Sequence, residues 1–142
     1  MKAILCALDF SDASGEALNE AIRLAAEKKT NLIVLYTYRL LYAKGVEVSE
    51  YRRNVELKAR ENFDVLIKNL KTHPEVPYEF IIEIGFLSDR IESMVKRNKV
   101  ECLVLCEKLA ASMYEQQGLS FEHFSASLNI PVLIIPETLK VN

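Results

Sequence analysis

Five short runs of mostly Val, Ile and Leu recur along the chain, at residues 3–8, 31–37, 78–84, 100–106 and 132–136. Several are apolar almost continuously, as expected of strands covered on both faces. The run at 78–84 alternates in part, which predicts an edge strand. Helical spacing separates these runs. After Ser11 and Asp12, both good N-cap types, Ala17, Leu18, Ala21, Ile22, Leu24 and Ala25 form one apolar stripe. From about 49 to 71, Tyr51, Val55, Ala59, Phe63, Leu66 and Leu70 recur every three or four positions, with Glu56/Arg60 and Asp64/Lys68 as expected surface pairs. A third helix is predicted from Ser88 and Asp89. Leu87, Ile91, Met94 and Val95 face inward there, Lys96 and Arg97 suit the C-terminal dipole, and Asn98 suits a left-handed cap. A fourth covers about 119–128, carrying Phe121, Phe124 and Leu128.

Strict β/α alternation implies right-handed crossovers and an α/β fold: a parallel five-stranded sheet with helices on both faces. The chain has 142 residues, half of them hydrophobic and 27% charged, with four glycines and four prolines. That composition excludes disorder, and the length predicts one domain spanning 1–142. Eighteen basic residues against twenty acidic ones argue against a nucleic-acid binder, which needs surplus cations. The apolar runs at 102–106 and 130–136 are too short to cross a bilayer, and Asp9 interrupts any signal-peptide core. A cytoplasmic protein with no membrane partner is expected. Three cysteines, Cys6, Cys102 and Cys106, suit that compartment and read as buried free thiols, since neither a fourth zinc ligand nor a C-x-x-C pair accompanies them. No metal is expected.

In open parallel sheets ligands bind beyond the strands' carboxyl ends, where strand order reverses. Asp9 sits there, after the first strand. It has two readings: a ligand or metal contact, or a brace for the turn while Ser11 or Asp12 caps the helix. A receiver domain is excluded because the third strand is followed by Gly85-Phe86 and the fifth by Glu137, without the needed Asp and Lys. The phosphate loops G-x4-G-K-[S/T] and G-x-G-x-x-G are also absent. No catalytic constellation can be assembled from what remains.

The opening Ile4-Leu5-Cys6-Ala7-Leu8-Asp9-Phe10-Ser11, the run Glu101-Cys102-Leu103-Val104-Leu105 and the closing Asn129-Ile130-Pro131-Val132-Leu133-Ile134-Ile135 together resemble the universal stress protein family over essentially the whole chain. The resemblance implies a sheet order of 3-2-1-4-5 and a cleft between the first and fourth strands where some members hold ATP. Asp9 and Thr37 match positions that meet the adenosine in those members. A loop G-x2-G-x9-G-[S/T] wraps the phosphates there, because backbone amides must approach them closely. This chain has Cys106 and Leu109 at the first two glycine positions, and Gly118, Leu119 and Ser120 near the third. The segment 107–117 contains no glycine and carries Glu107 and Glu115. Asp9, Thr37, Cys106, Gly118 and Ser120 therefore outline a vestigial nucleotide cleft, with no cofactor expected and ATP as the alternative.

The resemblance further implies a non-catalytic stress-response module that dimerises by antiparallel pairing of Val132, Leu133, Ile134 and Ile135. The alternative is an adenine-nucleotide switch or slow ATPase using a degenerate loop. Leu40, Leu41 and Tyr42 after the second strand, with Leu109, Met113 and Tyr114 after the fourth, carry more apolar bulk than solvated loops need. They either extend the core or form a lid or surface for a protein or small-molecule partner.

Overall fold

The computed structural model describes residues 2–40, 47–70, 75–97 and 99–137. Along the chain run β1 (Ala3–Ala7), α1 (Ser14–Glu27), β2 (Leu32–Tyr38), α2 (Val48–Lys68), β3 (Tyr78–Ile84), α3 (Leu87–Lys96), β4 (Val100–Cys106), α4 (Glu107–Gln117), α5 (Phe121–Leu128) and β5 (Val132–Ile135). All strand pairs are parallel and the order is β3-β2-β1-β4-β5, as expected. β1 is central and all five of its residues are buried. Its side chains alternate between two cores. Leu5 meets Leu35, Ile91, Leu103 and Leu105 on one face; Ile4 and Cys6 meet Leu18, Ala21, Val34 and Val104 on the other. Continuous apolar sequence is what a strand with no wet face requires.

The helices bury what their periodicity predicts. α1 turns Ala17, Leu18, Ala21, Ile22 and Ala25 inward, and its alanines let it lie close to the sheet. α2 sits over the β3 edge and is held by aromatics: Phe63 stacks on Phe80 with ring centroids 4.3 Å apart, and Tyr78 meets Phe63 edge-on.

Local details differ from expectation. Neither Ser11 nor Asp12 caps α1. The helix starts at Ser14 behind Ala13 with no side-chain cap, because Ser11 is turned back onto Asp9. The Glu56/Arg60 pair is replaced: Glu56 accepts from the Tyr38 hydroxyl at 2.7 Å and lies 4.0 Å from Arg52. α5 starts at Phe121, and its left-handed cap is Asn129, φ 57°. Asn98 and the connection containing His73 lie outside the described residues.

The largest correction is α4. The segment 107–117 reads as an open loop when aligned on the phosphate-binding pattern, yet it is helical from the residue after β4 onward. Leu109, Ala110 and Met113 are buried in the core shared with α5.

Leu103 is fully buried in β4 between both sheet neighbours. Leu103→Ala is expected to lose about 2–5 kcal/mol of unfolding free energy, measured by urea denaturation; a loss below ~1 kcal/mol would contradict this packing.

Candidate functional site

The chain leaves β1 through Leu8, whose amide donates to the Leu35 carbonyl at 2.9 Å, and then turns sharply. Phe10 takes φ 59°, a left-handed conformation unfavourable for a bulky residue. The turn is held by the carboxylate of Asp9. Its Oδ1 accepts from the Ser11 amide at 3.0 Å, from the Ser11 hydroxyl, and from the Ser14 hydroxyl at 3.2 Å. The Cys106 thiol lies 3.9 Å from the same oxygen and 3.7 Å from Ser11 Oγ, joining the end of β4 to the turn. Asp9 therefore braces the turn. It also lines a cleft.

That cleft, about 500 Å³, opens at the carboxyl ends of β1, β2 and β3. Asp9 and Thr37 both face it, together with Tyr36, Tyr38 and Arg39 from β2 and its end. Tyr51 and Val55 of α2 close one side, and Leu109, Met113 and Gln116 of α4 close the other. Cys106 is buried behind the Asp9 turn and does not line the cleft. Gly118 and Ser120 do not reach it. The α4 side chains line it as far as Gln117, and Gly118 and Ser120 follow beyond the end of that helix.

Gly118 has a different task. At φ 65° it ends α4 in the left-handed region, its amide donating to the Tyr114 carbonyl at 2.7 Å. Ser120 stands before α5 and makes no side-chain cap. At the other end of α4, the Lys108 amide donates to Glu137 Oε1 at 3.3 Å. An internal carboxylate thus occupies a donor of the helix N-terminus, and Glu107 adds a further negative charge to its first turn.

Leu109 and Met113 are core residues whose outer atoms form the floor of the cleft. Leu40 and Tyr114 are exposed, Tyr114 by 67%. Leu41 and Tyr42 lie outside the described residues. Tyr51, Val55, Ser112 and Gln116 were not anticipated as site residues. Nothing in a single sequence reveals which helix leans over the strand ends, although Leu109, Ala110 and Met113 at helical spacing, with Gly118 just beyond, carried a legible signal for α4.

The electrostatics follow from burial. The Tyr36 phenol is raised above its usual pKa by desolvation, then by Tyr51 and Asp9 nearby, so it stays a protonated donor at neutral pH. Burial also raises the Tyr38 phenol, reinforced by its hydrogen bond to Glu56. Arg39 stacks its guanidinium 4.4 Å from the centroid of Phe86, while its backbone carbonyl accepts from the Tyr51 hydroxyl at 3.2 Å. All three cysteines are free and buried. Desolvation lifts the Cys6 thiol far above its ordinary range, and raises Cys102 and Cys106 too. Among the described residues, no three His, Cys, Asp or Glu side chains are grouped to hold a metal ion.

The model of the universal stress protein family matches residues 1–108. The chain belongs to that family. Solved structures share its fold. A universal stress protein family member from Burkholderia pseudomallei is 21% identical, with 95% of this chain and 96% of that one covered and a TM-score of 0.69. UspA from Lactobacillus plantarum is 21% identical over 94% and 97%, with a TM-score of 0.70. A universal stress protein in complex with cAMP is 19% identical over 96% and 98%, with a TM-score of 0.63. No curated protein sequence matches the chain.

If Gly118 serves only as a helix terminator, backbone strain alone sets the effect of replacing it, because a Cβ there meets no atom within 4 Å. Gly118→Ala should then cost about 1 kcal/mol and Gly118→Asn, which tolerates left-handed backbone, less. Thermal or urea unfolding measures the difference; equal losses would refute the assignment.

Proposed function

We propose that this universal stress protein is a non-catalytic, cytoplasmic stress-response module that acts as a homodimer and does not hold ATP. The observation that carries the reading is the unbroken helix α4. Triphosphate binding requires backbone amides presented at close range. Here the corresponding segment is helical: its amides beyond the first turn go into helical hydrogen bonds, Leu109 and Met113 are buried, and the first-turn Lys108 amide donates to Glu137. Among the described residues no helix is long and apolar enough to cross a membrane, which is compatible with the cytoplasm.

The proposed dimer contact is β5. It is an edge strand, so one side of its backbone lacks a sheet partner in the single chain. Its four residues, Val132, Leu133, Ile134 and Ile135, are uncharged, and Ile134 is 41% exposed. Such an edge favours pairing with a second strand, and Pro131 and Pro136 limit that pairing to the residues between them.

Two observations favour a second reading. Asp9 and Thr37 do share a cleft, and a relative of the same fold is described in complex with cAMP. An adenine-nucleotide switch would use that cleft without the phosphate loop.

Denaturing the freshly purified protein and examining the supernatant by mass spectrometry should release no adenine nucleotide. Stoichiometric ATP would overturn the proposal, and stoichiometric AMP or cAMP would establish the second reading. In sedimentation velocity, Ile134→Glu should convert a dimer to a monomer; an unchanged mass would remove β5 from the interface.

A further inference from the structure

On the function proposed above the cleft does not hold a polyphosphate, yet it is open, and it is lined by aromatic, apolar and charged groups. We propose that it binds a planar aromatic monocarboxylate, with the ring between the β2 tyrosines and α4 and the carboxylate on Arg39. The inference rests on the reading that ATP is not the resident ligand, and it names what takes that place.

Four observations converge on this class. The walls are aromatic and apolar: the Tyr38 and Tyr51 rings stand 6.4 Å apart at 55°, and Met113 and Leu109 form the floor. Tyrosine faces and a thioether favour a flat ring by stacking, edge contacts and sulfur contacts. At about 500 Å³, the space falls in the range of small-molecule sites.

The cleft carries charge of both signs, Arg39 and Asp9. Arg39 has no carboxylate partner among the described residues, and stacking on Phe86 occupies a face of its guanidinium, leaving the in-plane N–H donors available. Those donors form a fork that matches a carboxylate. Asp9 also lines the cleft, and its charge disfavours an anion beside the β1 turn, which leaves Arg39 as the place for a carboxylate. Glu56, near Tyr38, is already engaged by Tyr38 and Arg52. Among the described residues Arg39 is the one cation lining the cleft, and it balances one negative charge, which favours a monoanion over a nucleotide phosphate chain.

Two neutral donors complete the site. The Tyr36 phenol and the Gln116 amide both line the cleft, and neither makes a side-chain hydrogen bond among the described residues. They suit ring heteroatoms or hydroxyls of the ligand.

The test uses indole-3-carboxylate and its uncharged isostere indole-3-carboxamide, titrated calorimetrically into the 142-residue chain. The carboxylate should bind saturably, once per chain, and roughly tenfold more tightly than the amide, the discrimination expected of one charge-assisted pair. Arg39→Gln should erase that discrimination, bringing the carboxylate down to the affinity of the carboxamide. Val55→Trp, which fills the cleft from α2, should abolish both. The proposal is overturned if neither compound binds, if the two bind equally, or if Arg39→Gln preserves the preference. Arg39 lies on the surface, so its variant keeps the test decisive even if Val55→Trp fails to fold. ATP titrated in the same way separates the two claims: ATP binding once per chain overturns the function proposed above, whereas loss of the carboxylate preference with no ATP binding overturns only this inference.

Discussion

The docking of α4 onto the end of β4 is the constraint around which the strand-end architecture is built. The helix begins at the residue after the strand, so its buried face is fixed by the direction in which Cys106 leaves the sheet. That face carries Leu109, Ala110 and Met113 into the core with Phe124 and Leu128 of α5. Burying a Leu or Met side chain contributes about 1.5–3 kcal/mol. Unwinding the segment to expose its amides would lose several kcal/mol from the larger side chains alone, together with the helical hydrogen bonds. A bound phosphate chain would have to offset that loss before contributing any affinity.

The turn after β1 is the second fixed element, and it is tied to the first through Cys106. Phe10 in a left-handed conformation costs about 1 kcal/mol or more, so its surroundings must compensate. They do so twice. Asp9 gathers the Ser11 and Ser14 donors onto one oxygen. The Phe10 ring then packs 5.1 Å from Tyr36 and 6.3 Å from Phe80, joining the aromatic stack that holds α2. The same geometry that holds the backbone leaves Tyr36 facing the cleft, so stability and the shape of the site share one cause.

Much of this was legible in the sequence, and the misses have physical reasons. The strands were visible because a sheet covered on both faces demands near-continuous apolar runs, which few other elements produce. Sheet order followed from the family resemblance and not from any run of residues. Ser11 has the chemistry of a helix cap, but caps compete with other acceptors, and the Asp9 carboxylate two residues away won. For α4 the family's glycine-loop pattern and the helical spacing of Leu109, Ala110 and Met113 compete over the same residues, and the spacing prevails because it buries those side chains. The contribution of Tyr51 and Val55 to the cleft was not legible at all, since it depends on how α2 lies across the sheet.

The two sheet edges differ in a way that bears on assembly. β3 presents Glu79 and Glu83 on its α3 side, with Arg90 pairing Glu83 at 3.5 Å. Charges on an edge strand discourage a second strand from adding there. α2 and its aromatics cover the opposite face of β3. β5 has neither protection: its four residues carry no charge, and the prolines at its ends shorten it without blocking the residues between. So short a pairing supplies only a few backbone hydrogen bonds, each worth about 1 kcal/mol net. Most of the affinity of a dimer built on β5 must therefore come from apolar side chains beside the strand, and Ile134, the most exposed of its residues, is where that contact has to be made.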